Sequence, residues 1–317
     1  MMQMRRGAAL LNSLGAVKVG GVDLINPFMT ASGTAGHDVE FAPYMPLHKI
    51  GATTVKSLFH TEWEGNPAPR VHMASSGMMN AVGLQGPGVA AWIEESLPKL
   101  QNAGVTVIAS IWGRTLGEYV SAAAQLRVAG NRISAIEVNL SCPNLEGRTG
   151  IIAHDESLSA QIIAAVRAEL DVPVWAKLSA NTDRIVEIAH AVVGAGAQSL
   201  TVINTMVGLQ IDVMSGRPTL GNGGGGLSGP AIHPIAVRAV FDIRRAIPHV
   251  DIVGVGGIRS GLDAIEMMLA GANAVQVGTA SFAHPGATWR IAREAAVLAH
   301  RRGASQWSDI VSAAHTL

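Results

Sequence analysis

Short apolar runs alternate with longer segments of helical periodicity along almost the whole chain. Eight such runs lie at 27–32, 52–58, 106–112, 135–141, 173–179, 199–205, 251–257 and 274–280. Each is nearly continuous in apolar residues, as expected of strands buried on both faces of a parallel sheet. Between them, 90–103, 116–129, 157–170, 182–193, 234–247 and 261–270 carry apolar residues at the spacing of an amphipathic helix. A last helix is expected at about 285–301, and the helical pattern is faintest at 38–47. Eight strand–helix units count out a (β/α)8 barrel, the TIM-barrel fold of the α/β class. A doubly wound sheet would need two halves with a crevice between them, and no linker divides this chain. The expectation is therefore one domain over 1–317, with residues 1–16 as an N-terminal arm.

In a barrel of this kind the chemistry sits in the loops that follow the strands. Three of these are long, at 60–89, 142–156 and 206–232. Loops of that length in a compact domain are usually lids or binding segments. The third contains Gly221-Asn222-Gly223-Gly224-Gly225-Gly226, either a hinge or a place where backbone must approach a flat ligand closely.

Composition narrows the function. The 317 residues are 48% hydrophobic and 15% charged, enough for a large aliphatic core. Net charge is zero, so there is no electrostatic footprint for nucleic acid or an anionic membrane, and any phosphate must be bound locally. One cysteine excludes an intramolecular disulfide, a cysteine-rich zinc site and a four-thiolate cluster from this chain. No run of about 18 apolar residues is available to cross a membrane. The start faintly resembles a secretory signal, but its apolar run is short and broken by Asn12, Ser13 and Gly15. It reads as a mobile or amphipathic arm, and the chain as cytoplasmic. The histidines show no metal-ligand spacing, and no metal is expected.

Several residues at strand ends carry candidate chemistry. Strand seven ends Gly254-Val255-Gly256-Gly257 and strand eight ends Gly278-Thr279. Glycines there let backbone N–H groups converge on an anion, and the helix after Gly261 adds its positive end. Lys56 and Lys177 stand at the ends of apolar strands, where a charge is costly unless met by a partner. An anionic ligand over the barrel mouth would meet it, and so would a structural ion pair with Glu137. Asn139 and Asn204 end strands four and six, and Asn80 lies on the first long loop; their amides both donate and accept. Cys142 lies just beyond strand four, between Asn139 and Asn144. A lone thiol so placed suits a base or nucleophile held over a ligand, although free cysteines are also common core residues.

Together these motifs resemble the dihydroorotate dehydrogenases, flavin enzymes of pyrimidine (UMP) synthesis. The carriers are Ala31-Ser32-Gly33, Lys56-Ser57, Gly65-Asn66-Pro67, Asn80-Ala81-Val82-Gly83-Leu84, Asn139-Leu140-Ser141-Cys142-Pro143-Asn144, Lys177-Leu178-Ser179, Asn204-Thr205-Met206-Val207-Gly208 and Gly225-Gly226-Leu227-Ser228-Gly229-Pro230. Gly256-Gly257 and Gly278-Thr279 complete the series, which spans about Val17 to the last helix. The loop after Asn204 follows the pattern of the class 1, B-type catalytic subunit. The resemblance implies one FMN per chain, lined by Ser32, Lys56, Ser57, Asn139, Lys177 and Ile203 and met at its ribityl and phosphate ends by Gly229, Gly256, Gly257, Gly278 and Thr279. It implies orotate or dihydroorotate held by Lys56, Asn80, Ala81, Val82, Gly83, Leu84, Asn139, Asn204 and Thr205. Cys142 would remove the C5 proton while hydride passes from C6 to flavin N5.

The same resemblance implies a homodimer with an electron-transfer partner subunit carrying FAD and a [2Fe–2S] cluster, through which electrons reach NAD. This chain offers neither the cysteines nor a dinucleotide fingerprint for those groups. The alternatives are a fumarate-using A-type enzyme, another FMN barrel acting on dihydropyrimidines, and a phosphosugar isomerase or lyase. Two departures from the family pattern stand out: Ser110 and Gly86 occupy positions where asparagine is usual.

Overall fold

The computed structural model describes residues 2–141 and 152–316. Its centre is a closed barrel of eight parallel strands: Phe28–Thr30, Ala52–Thr54, Val107–Ile111, Ala135–Asn139, Val174–Lys177, Ser199–Val202, Asp251–Val255 and Ala274–Val277. Sequence neighbours pair around the ring, and the eighth strand closes on the first through Val275 beside Phe28. All eight expected strands are present. Each leaves the ladder up to four residues before its apolar run ends, because those last residues turn away from the barrel to build its C-terminal mouth.

The other end of the barrel is plugged. An antiparallel hairpin of Val17–Val19 and Val22–Leu24 lies across it. Val19, Val22 and Leu24 join Met29, Ala52, Ile108, Ala135, Trp175, Val253 and Ala274 in one buried cluster. The Trp175 indole fixes the turn by donating Nε1–H to the Gly20 carbonyl at 3.0 Å. The segment expected as an arm is a helix, Met2–Ser13, packed on the last helix, Ala287–Arg301, with Leu11 and Leu14 buried. Burial of one apolar stripe holds it in place.

Most helices form where the periodicity places them, and proline and glycine account for several differences. The expected helix 90–103 is two, Val89–Glu95 and Leu97–Asn102; Pro98 lacks the N–H that would continue the first into the second. The pattern 116–129 stops at Leu126 and continues as a 3-10 turn through Gly130. The pattern 285–301 forms the helix Ala287–Arg301, starting after Pro285 and Gly286, and a short helix that the pattern did not include, Ala280–Ala283, precedes it. Region 38–47 holds no α-helix, only turns ahead of the 3-10 segment Leu47–Lys49; Pro43 and Pro46 interrupt it.

The long loops after strands two and six are not irregular. Their segments Val71–Ala74, Gly77–Asn80, Met206–Gly208 and Gly225–Ser228 form one antiparallel sheet, with Gly225–Ser228 between Met206–Gly208 and Gly77–Asn80. The glycine run is where backbones touch. A Cβ on Gly226 would fall 2.1 Å from Thr205 Oγ1, and one on Gly225 2.3 Å from the Asn80 carbonyl.

Candidate active site

A cavity of about 1110 Å³ opens at the C-terminal mouth of the barrel, between the strand ends and the antiparallel sheet. On its wall lie Ser32, Lys56, Ser57, Asn139, Lys177, Ile203, Gly229, Gly256, Gly257, Gly278 and Thr279. Asn80, Val82, Gly83, Leu84, Asn204 and Thr205 line it from the sheet side and from strand six. Ala81 is fully buried and is not on the wall. Cys142 lies outside the described residues.

Strands one, four and five place a buried polar chain at the floor. The Lys177 ammonium donates to Ser32 Oγ at 3.0 Å and stands 3.5 Å from Glu137 Oε1. Both Lys177 and Glu137 are buried. The ion pair that was one explanation of Lys177 therefore exists, and the same lysine also faces the cavity.

Around Asn139 the amides form a network. Asn139 Oδ1 accepts from the Ser141 N–H at 3.3 Å, from Ser141 Oγ at 3.1 Å and from Asn204 Nδ2 at 3.3 Å. Asn204 Nδ2 also donates to Ser141 Oγ at 2.9 Å, and the Tyr119 hydroxyl donates to the Asn139 carbonyl at 2.7 Å. Ser141, the residue before Cys142, is thus held from two sides. Asn80 Nδ2 donates to the Gly226 carbonyl at 3.2 Å, tying the two long loops together. Leu84 sits at φ 61, a conformation that costs a bulky residue energy and is found at functional turns.

Lys56 stands on the cavity wall. Among the described residues no group hydrogen-bonds its ammonium. Burial pushes its pKa below the ordinary lysine value, and the nearby Arg70 guanidinium pushes the same way. Arg70 is itself engaged: Nε donates to the Asn66 carbonyl at 2.5 Å and a terminal nitrogen to Glu64 O at 3.0 Å. A half-buried ammonium with a second cation beside it favours an anion in the space it faces.

The opposite wall suits a phosphate-bearing ligand. Gly229, Gly256 and Gly257 have φ of 95, 140 and 67, conformations open to glycine. The helix Gly261–Leu269 begins just beyond, its N-terminus capped by a reciprocal Ser260–Asp263 pair. Thr279 Oγ1 donates to Ser228 Oγ at 2.8 Å, joining strand eight to the sheet.

Sequence reasoning missed several groups. Ser228, Arg259, His284 and Arg290 line the cavity; only Ser228, inside a quoted motif, gave a signal. Asn181, four residues past the end of strand five, donates Nδ2–H to the Thr205 carbonyl at 3.0 Å and accepts from the Val207 N–H at 2.8 Å. Its position after a strand could have marked it. The two departures also have local explanations. Ser110 is buried and hydrogen-bonds Ser57 Oγ at 2.8 Å, so it reaches the wall through Ser57. At Gly86 an added Cβ would lie 3.0 Å from His37 Nε2, so the imidazole occupies the room a side chain there would need. Burial, with Lys56 second, lowers the His37 pKa to about 4.

The architecture and wall chemistry define a barrel built to hold a phosphate-bearing ligand together with a small anion. Comparison with known proteins is consistent with that class. The family model described as dihydroorotate dehydrogenase matches residues 14–298. A protein of Desulforamulus reducens named dihydroorotate dehydrogenase B (NAD(+)), catalytic subunit, is 44% identical over 300 residues, covering 95% of this chain and 98% of its own. One of the same name from Geobacter sp. strain M21 is 46% identical over 280 residues, 88% of this chain and 91% of its own. Another, from Desulforudis audaxviator, is 44% identical over 301 residues, with 95% and 97% covered. The chain belongs to the dihydroorotate dehydrogenase family.

Proposed function

We propose that this protein is the catalytic subunit of a B-type dihydroorotate dehydrogenase, oxidising (S)-dihydroorotate to orotate in pyrimidine biosynthesis with FMN. One observation carries the reading. A single cavity joins a glycine-lined phosphate wall, a buried lysine on its floor and an unpaired lysine beside an asparagine cluster. Its volume, about 1110 Å³, is at the upper end of small-molecule pockets, roughly 300–1,000 Å³, and suits a flavin with a small acid beside it.

The residues present fit FMN. Gly229, Gly256, Gly257, Gly278 and Thr279 would hold its ribityl and phosphate ends, and Ser32, Lys56, Ser57, Asn139, Lys177 and Ile203 its ring. Bound FMN supplies the two-electron acceptor for the hydride leaving C6 of the substrate. The remaining work falls to the chain. Lys56 meets the substrate carboxylate with its otherwise unpaired charge. Asn80, Asn139, Asn204 and Thr205 fix the ring by donating and accepting at its imide edges, while Ala81, Val82, Gly83 and Leu84 give the loop its shape. Positioning of this kind is worth up to about 7–11 kcal/mol. Cys142 takes the C5 proton as base, a role that needs a site favouring its thiolate.

The domain is one FMN-binding barrel working in the cytoplasm as a homodimer core. Electrons leave to a partner subunit with FAD and a [2Fe–2S] cluster, and from there to NAD. The relatives' names support this route, since each is called a catalytic subunit and carries NAD(+). Among the described residues there is no group of three potential metal ligands, and no helix is long and apolar enough to cross a membrane. The direct test is a spectrum of the purified chain. It should be yellow, with flavin absorbance, and should bleach without air on adding dihydroorotate. A colourless protein, or one that dihydroorotate leaves oxidised, refutes the reading.

A further inference from the structure

One buried carboxylate has no part in the chemistry above. Glu137 has no solvent exposure and lies two residues before Asn139 on strand four, on the same, inward face. Its Oε2 accepts from Thr201 Oγ1 at 3.0 Å and from Gln276 Nε2 at 2.8 Å. Its Oε1 has no hydrogen-bond partner and stands 3.5 Å from the Lys177 ammonium. Lys177, 5% exposed, donates to Ser32 Oγ and lines the cavity, whereas Glu137 does not reach it. A neutral amide could bridge Thr201 and Gln276 equally well. What a carboxylate adds is charge, and a buried charge is costly unless paired. Among the described residues, the charged group it faces is Lys177.

We propose that Glu137 is a positioning residue for the cofactor: it fixes the Lys177 ammonium at the cavity floor and offsets part of its charge, which lowers the reduction potential of the bound flavin. The inference rests on the cavity being the FMN site. With the carboxylate removed, electrons entering the flavin become the counter-charge for Lys177, so the reduced form is favoured. With Lys177 also removed, Glu137 has nothing left to act through.

The test uses the full-length protein with FMN bound. Midpoint potentials are measured by equilibrium with a reference dye for wild type, Glu137→Gln, Lys177→Met and the double variant. Glu137→Gln should favour the reduced flavin by about tenfold, which for a two-electron couple is about 30 mV upward. In the presence of Lys177→Met the same substitution should change the ratio less than twofold. An unchanged potential, a fall, or an equal rise with and without Lys177 overturns the proposal. If Glu137→Gln alone is too unstable to hold FMN, adding Lys177→Met should restore its melting temperature, because no unpaired buried charge then remains; failure to restore it also overturns the proposal. A colourless wild type would instead refute the cofactor assignment itself, so the two failures are distinguishable.

Discussion

Replacing Lys56 by methionine separates what the fold needs from what the site needs. The two side chains are similar in length, so the change removes the ammonium with little loss of packing. Among the described residues that ammonium has no hydrogen-bonded partner, and burial and Arg70 both disfavour its charge. Its folded pKa lies below its unfolded value, so between the two the unfolded chain binds more protons, and stability contributed by this group rises with pH across that window. At neutral pH the charged lysine is therefore a burden, and the FMN-free Lys56→Met protein should melt no lower than FMN-free wild type. Orotate binding should move the opposite way. A hydrogen bond to a charged group is worth about 1.5–3 kcal/mol, so the substitution should weaken orotate about 10- to 150-fold. The assay is titration of the flavin spectrum with orotate at several pH values, alongside thermal melts. In wild type, affinity should fall as pH rises through the lowered Lys56 pKa, and that dependence should vanish in the variant. A variant that melts well below wild type, or binds orotate within threefold of it, refutes the assignment of Lys56 to the substrate anion.

The barrel was legible because its strands are buried on both faces, and near-continuous apolar runs such as 106–112 and 251–257 survive without context. Where those strands end was not legible. Residues such as Val55 and Ile203 are as apolar as the ladder before them and stay buried, so hydrophobicity does not mark the point where chain leaves the sheet. The antiparallel sheet beside the mouth was missed for the opposite reason. Val71, Met73 and Val207 are apolar yet exposed, and the central strand is half glycine, so alternation never emerges from Gly225–Ser228. Strand-end polar residues were found because lysine and asparagine stand out against apolar neighbours. His37 and Asn181 were not, because each acts from a turn whose proximity to the site only the fold creates. Glu137 was noticed as a partner for Lys177, but its lack of contact with the cavity could not be read from spacing.

Other substitutions probe the remaining parts. Cys142→Ala should keep FMN and orotate binding while turnover falls about 10²-fold or more, a typical general-base loss; undiminished turnover at the pH optimum removes Cys142 from that role. His37, with its pKa lowered to about 4, binds its proton later than in the unfolded chain. Its contribution is whole above about pH 6.5 and lost as pH falls toward 4, so wild type should lose about 2–3 kcal/mol more than His37→Asn between pH 7 and 4.5 in denaturant titrations. Equal losses would mean that the imidazole is not protected. Gly226→Ala tests whether the glycine run shapes the substrate side. The new Cβ would lie 2.1 Å from Thr205 Oγ1 and 2.7 Å from Thr205 Cβ. A β-branched side chain has few rotamers with which to retreat, so the strand pair or Thr205 must shift. Overpacking of this kind costs about 1–3 kcal/mol. Because Gly226 O also holds Asn80 Nδ2, the displacement falls on two cavity residues from different loops. Gly256 and Gly257 follow strand seven, away from that contact, and Gly229 lies past the end of the Gly225–Ser228 strand, so FMN content should stay at one per chain while KM for dihydroorotate rises about tenfold. Loss of FMN with KM unchanged would place the glycine run on the cofactor side instead.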